Sequence, residues 1–153
     1  MSYVDPISNG LDPALFHYVI PKVLVATFVG GLIGFNRERL GKPAGIKTNI
    51  LLCVGSALFT CSSLLITGSG EHADVARIVA QIVPGIGFLG AGTIFRAGDK
   101  TYGLTSAALI WVAASLGVLI GLGAYLLSAL LSLGMVITIP FLTWFERRYF
   151  RNE

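Results

Sequence analysis

The distance between its charges is what most constrains this chain. Uncharged runs extend over Val23–Asn36, Thr48–Gly70, Ile78–Phe95 and Thr101–Phe145. A helix that crosses a bilayer needs about 20 mostly apolar residues, and the lipid core tolerates charge only near its faces. Three of the runs therefore fit one crossing each. The last is too long for a single crossing at about 1.5 Å of rise per residue, and Gly121-Leu122-Gly123 within it marks a turn between two helices. A soluble fold could not hide this much apolar surface. Hydrophobic residues make up 54% of the 153 and charged residues 12%, about half the charged share of a soluble domain; the mean hydropathy is +0.78. The pattern predicts an all-α membrane protein of about five transmembrane helices, near 18–36, 46–68, 77–96, 103–120 and 124–145. An external segment, 1–17, and a short basic tail, 146–153, flank them. The first helix extends back through Ile20, Pro21 and Lys22, with proline in its first turn and the lysine snorkelling outward. No basic segment and small-residue cleavage site precede it, so the first span is expected to be retained.

Orientation follows from the loops. Arg37, Arg39, Lys42, Lys47, Arg96, Lys100, Arg147, Arg148 and Arg151 fall on one side of the expected spans, and only Lys22 and Arg77 on the other. Cytoplasmic loops collect Lys and Arg; the N-terminus is therefore expected outside and the C-terminus in the cytoplasm. The acidic residues are evenly divided, with Asp5, Asp12, Glu71 and Asp74 outside and Glu38, Asp99, Glu146 and Glu153 inside. The net charge of +3 reflects this bias and does not point to nucleic acid.

The second span carries Asn49, Cys53, Ser56, Thr60, Ser63 and Thr67 at three- and four-residue steps. They form one polar stripe that should face protein. Cys53 and Cys61 are two helical turns apart, about 12 Å, too far to bridge, and read as small packing residues. Ala26, Gly30 and Gly34 on the first span, and Ser106, Ala113, Gly117 and Gly121 on the fourth, form small-residue faces that allow close helix approach. They pack within the chain or, in a second reading, form a homodimer seam. The third span, Arg77–Arg96, holds Pro84, Gly85, Gly87, Gly90 and Gly92. So many breakers predict a kinked or broken helix, whose freed backbone groups would be buried in protein or line a cavity. Gly85-Ile86-Gly87-Phe88-Leu89-Gly90 spells the dinucleotide-binding pattern, but that fingerprint needs a βαβ unit around it. No nucleotide is expected.

Four blocks carry a resemblance. They are Gly30-Gly31-Leu32-Ile33-Gly34-Phe35-Asn36-Arg37-Glu38, Pro43-Ala44-Gly45-Ile46-Lys47-Thr48-Asn49, Gly85-Ile86-Gly87-Phe88-Leu89-Gly90-Ala91-Gly92, and Gly103-Leu104-Thr105-Ser106-Ala107-Ala108 with Trp111. In order and spacing the chain resembles the MgtC/SapB family of bacterial inner-membrane proteins. The resemblance implies a five-helix domain with a cytoplasmic C-terminus, and a part in adaptation to low magnesium and, in pathogens, in survival inside macrophages. It further implies action by restraint of other membrane machines, notably the ATP synthase, more than by carriage of Mg²⁺. This chain departs from the family pattern at Asn36, where an acidic residue is usual, and at Pro84, where a small hydroxyl residue is common. Many members continue into a soluble C-terminal domain; only Glu146–Glu153 follow the fifth span here.

The chemistry of the residues bears on transport and catalysis. A Mg²⁺ site wants several oxygen ligands, usually carboxylates among them, and no Asp or Glu lies deep in a span. Glu38 reads as part of a flanking ion pair, and Glu71 and Asp74 as a solvated loop. No metal or other cofactor is expected, whereas hydrated-ion passage along the polar stripe stays open. His17 and His72 lie outside the spans and no nucleophile–base pair can be assembled, so the chain is not expected to be an enzyme. The expected site has Arg37 and Glu38 paired with each other or with the third-helix end at Arg96. Gln81 and the Pro84–Gly92 segment form a polar or cavity-lining centre, against which Thr105, Ser106 and Trp111 pack. Asn49 and Arg77 complete the candidates. The expected function is regulation of another membrane protein, which would dock on the small-residue face; the alternative is a channel or transporter for Mg²⁺ or a monovalent cation, with the Pro84–Gly92 break as its path.

Overall fold

The computed structural model describes residues 13–67 and 75–149. Its elements are α1 (Pro13–Arg39), α2 (Ile46–Thr67), α3 (Val75–Ala91), a hairpin of β1 (Phe95–Ala97) and β2 (Lys100–Tyr102), α4 (Leu104–Gly121) and α5 (Tyr125–Tyr149). The chain is an all-α membrane protein. Helices α1, α2, α4 and α5 are each long and apolar enough to cross a bilayer. Apolar α3 has 17 residues, a rise of about 25 Å against a hydrocarbon core of about 30 Å.

The turn expected at Gly121-Leu122-Gly123 is present. Gly123 takes φ +93°, its N–H donates to Ile120 O, and Ala124 N–H donates to Leu119 O. This pair of bonds closes a helix end around a left-handed residue, where glycine avoids the Cβ penalty.

The core is the packing of α2 between α1 and α4. Asn49, Cys53, Ser56, Thr60 and Ser63 are all buried, so the polar stripe faces protein as its spacing predicts; the side chain of Thr67 lies outside the described residues. A Cβ added at Gly30 would lie 2.5 Å from Asn49 O, and one at Gly34 2.5 Å from Ile46 Cα. On the other side, one at Gly117 would collide with Cys53 O, and one at Gly121 would lie 2.5 Å from Thr60 Cβ. Glycine is therefore what lets the backbones meet. Both small-residue faces are used within the fold, and Val29, Ile33, Leu52, Ile110, Leu116 and Ile120 fill the space around them. The Cys53 thiol adds a bond to Ala113 O on α4 at 3.0 Å.

Four expectations are corrected. Helix α3 is continuous through Pro84 and Gly90, so of the kinked or broken helix expected there the break is absent: a proline inside a helix removes one hydrogen bond while the rest of the ladder continues. It ends at Ala91, not at Arg96, and residues 95–102 fold back as a hairpin. Its two-residue turn places Gly98 at φ +61°, the conformation that two-residue hairpins favour, and Phe95 stacks on Tyr102 at 5.3 Å. The third correction is Lys22. It does not snorkel: it is buried, donates to Gly121 O at 2.9 Å and lies 3.5 Å from the centre of the Tyr18 ring. A cation there meets the orphan carbonyls and the negative dipole end of α4. Finally, α1 already begins at Pro13 and α5 reaches Tyr149, so the helices extend past the boundaries expected at 18 and 145.

Close packing predicts opposite outcomes for the same substitution. Gly30→Ala and Gly117→Ala are each expected to cost about 1–3 kcal/mol through overpacking. Gly85 has open space around it, so Gly85→Ala should be neutral or stabilise by about 0.5–1 kcal/mol. Thermal unfolding of the three variants in one detergent measures the contrast.

Candidate functional site

The elements meet at one end of the bundle in a cavity of about 960 Å³. Its wall draws Arg37 and Lys42 from the end of α1, Tyr102 from the hairpin, Ser106 from α4, and Thr143 and Arg147 from α5. Local structure explains this convergence. After α1, Gly41 N–H bonds to Glu38 O and Lys42 N–H to Arg37 O, the same closure that ends α4, and it returns Lys42 to the side of Arg37. Gly103 precedes α4 at φ +89°, and a Cβ there would collide with Thr93 O. That close approach sets the hairpin against the start of α4.

Arg37 is buried and its Nη2 donates to Ser106 Oγ at 2.6 Å, while Nε has no partner. Glu38 turns elsewhere: its Oε2 accepts the Ile46 N–H at 2.8 Å. A carboxylate at the first turn of α2 satisfies an orphan donor and complements the helix dipole. The expected pairing of Arg37 with Glu38 or with the end of α3 is thus replaced by separate partners. Arg96 lies in the hairpin and donates from Nε to Gly98 O at 3.2 Å. Asn49 holds the segment between α1 and α2, its Nδ2 donating to Ala44 O at 2.6 Å and Gly45 O at 2.9 Å. Its Oδ1 is buried without a partner. Asn36 reaches α5 through a long 3.5 Å contact from Nδ2 to Val136 O.

Arg37, Glu38, Asn49, Thr105 and Ser106 therefore gather at this end, Thr105 and the buried Ser106 both on the cavity wall. The other candidates do not join them. Gln81, Arg77, Pro84 and Gly85 are exposed along α3, and Gly87 has open space beside it. Gly90 is the buried glycine of α3, in ordinary contact with Ala107, and Gly92 lies in the turn beyond the helix, bonded to Phe88 O. Trp111 lines a separate groove of about 330 Å³ between α3 and α4, with Val79, Ile82, Val83 and Ile86. That groove is apolar, not the polar centre expected around Gln81. Lys42, Tyr102, Thr143 and Arg147 were not singled out by sequence reasoning. The Gly41 two residues after Arg39 is a signal for the turn that returns Lys42; nothing in the sequence brings Thr143 or Arg147 to Arg37.

The wall is rich in donors. Arg37, Lys42 and Arg147 supply cations and Glu146 one carboxylate. Among the described residues no cluster of three His, Cys, Asp or Glu could hold a metal ion.

Residues 23–148 match the MgtC family. The chain belongs to that family. It is 48% identical to the protein MgtC of Brucella abortus over 98 residues, 64% of this chain and 40% of that protein. The protein MgtC of Salmonella typhimurium is 43% identical over 111 residues, 72% of this chain and 46% of the relative. The protein SrpB of Synechococcus elongatus is 39% identical over 137 residues, 82% of this chain and 74% of SrpB. The chain spans less than half the length of these MgtC relatives. No solved structure matches it. All the cavity residues from Arg37 to Arg147 fall inside the stretch that matches the family.

Two substitutions test how the site is held. Ser106→Ala removes the partner of a buried guanidinium and is expected to cost about 1–3 kcal/mol; the loss should disappear in an Arg37→Met background, measured as a double-mutant cycle in detergent. Glu38→Ala should cost about 0.5–2 kcal/mol as a lost cap, and Glu38→Gln, which keeps an acceptor, clearly less.

Proposed function

We propose that this chain is a non-enzymatic regulatory protein of the bacterial inner membrane, with its N-terminus outside and the basic end of the bundle in the cytoplasm. It supports adaptation to low magnesium, and in a pathogen survival inside host cells, by modulating another membrane protein such as the ATP synthase. The observation that carries this reading is the packing of α2. Its polar stripe, from Asn49 to Ser63, is pressed against glycine faces of α1 and α4. Polar groups held this way act as glue between helices. The groove beside Pro84 is apolar, which favours contact with lipid or protein over passage of an ion. Cations on the wall of the large cavity would likewise repel Mg²⁺. Family membership supports the same reading, since the stretch that matches the MgtC family, residues 23–148, contains the Arg37, Glu38 and Asn49 that build the basic end.

Reconstitution separates regulation from transport. Vesicles holding the purified chain alone are expected to stay tight to Mg²⁺, K⁺ and H⁺, and the chain co-reconstituted with ATP synthase is expected to lower ATP synthesis at constant proton-motive force. Robust ion flux by the chain alone would sink the regulator reading in favour of a channel.

A further inference from the structure

The basic cavity holds a charge that the chain does not neutralise. Arg37 is 4% exposed, yet its guanidinium bonds to the neutral hydroxyl of Ser106 and its Nε has no partner. The neighbouring carboxylate, Glu38, is committed to the Ile46 N–H. A buried ion without a counter-charge is strongly disfavoured, and a guanidinium offers five donors in a planar fork that matches oxyanions. On the same wall stand Lys42 and Arg147, opposed by the carboxylate of Glu146. Three cations less one carboxylate leave a surplus of two positive charges. Thr105 and Thr143, with their hydroxyls, and the apolar Leu40 and Ile139 are also part of the lining. A single carboxylate ligand would saturate one arginine; a phosphate, with several oxygens in tetrahedral array, offers an acceptor to each of the three cations that line the cavity, Arg37, Lys42 and Arg147.

We propose that this cavity binds a phosphate group, presented by an anionic phospholipid headgroup or as free phosphate. The proposal does not rest on the regulatory reading and stands or falls by binding alone. The bound oxyanion supplies the counter-charge that Arg37 lacks and ties the end of α1 to α5 through Lys42 and Arg147. The headgroup source suits the position of the cavity, because the helices that form it carry exposed apolar side chains outside it, such as Phe35 and Phe141.

The test uses the full chain in nanodiscs. In phosphatidylcholine discs containing phosphatidylglycerol, native mass spectrometry is expected to show a retained phosphatidylglycerol. The double variant K42Q/R147Q, which changes two exposed residues, should lower that retention at least tenfold. K47Q/R148Q, which removes two cations of the same end that do not line the cavity, should leave it unchanged. In pure phosphatidylcholine discs, inorganic phosphate is the second arm: a rise in the unfolding midpoint at millimolar concentration, lost in K42Q/R147Q, identifies free phosphate as the source and upholds the site. Arg37→Gln, where it folds, should abolish binding in whichever arm is positive. Equal loss in the two double variants would reduce the effect to general surface charge and overturn the proposal. So would the absence of binding in both arms.

Discussion

Everything in this bundle depends on how closely α1 and α4 approach α2. Inside a bilayer, leaving lipid for another helix brings no hydrophobic gain, because lipid tails are as apolar as leucine; association rests on van der Waals contact and interhelical polar bonds. Gly30, Gly34, Gly117 and Gly121 make that contact possible by letting backbone meet backbone. The polar face of α2 is thereby sealed from lipid. Cys53 reaches Ala113 O across one interface, while Thr60 is satisfied by Ser56 O in its own helix.

Close approach also fixes the register of α1 on α4. Lys22 bonds Gly121 O and Arg37 bonds Ser106 Oγ. Both pairs are separated by the same interval along their helices, fifteen residues, in opposite chain directions. Two antiparallel helices are therefore tied at both ends by cations of one helix, about 22 Å apart at 1.5 Å per residue. The two ties differ in how well they are completed. Lys22 finds the carbonyls at the end of a helix, a fixed negative partner. Arg37 finds only a hydroxyl, and beside it opens the cavity.

Much of this was legible in advance. The uncharged runs, the turn at Gly121-Leu122-Gly123 and the buried stripe from Asn49 to Ser63 all follow from spacing and composition, because a lipid solvent penalises charge and unpaired backbone wherever they occur. That α3 does not break in the Pro84–Gly92 segment has a related reason. Proline and glycine weaken a helix, but with no water to take over its hydrogen bonds the helix is the least costly state, and α3 stays helical to Ala91. The hairpin was hidden because Phe95 continues an apolar run while its pairing with Tyr102 is a contact across a turn. Lys22 was expected to reach outward; the end of α4, a distant stretch of sequence, turned it inward.

By itself, then, the sequence determined the solvent, the number of helices, the face of α2 that must be covered and the glycines able to cover it. Those are matters of transfer free energy and local geometry, each readable within a single segment. Only the tertiary structure decided which helix covers that face, that the two buried cations of α1 both end on α4, and that Lys42 and Arg147 join Arg37 around one cavity. These depend on which elements touch. A cation's partner is set by distance in space, and residues 37 and 147 lie more than a hundred residues apart in the chain.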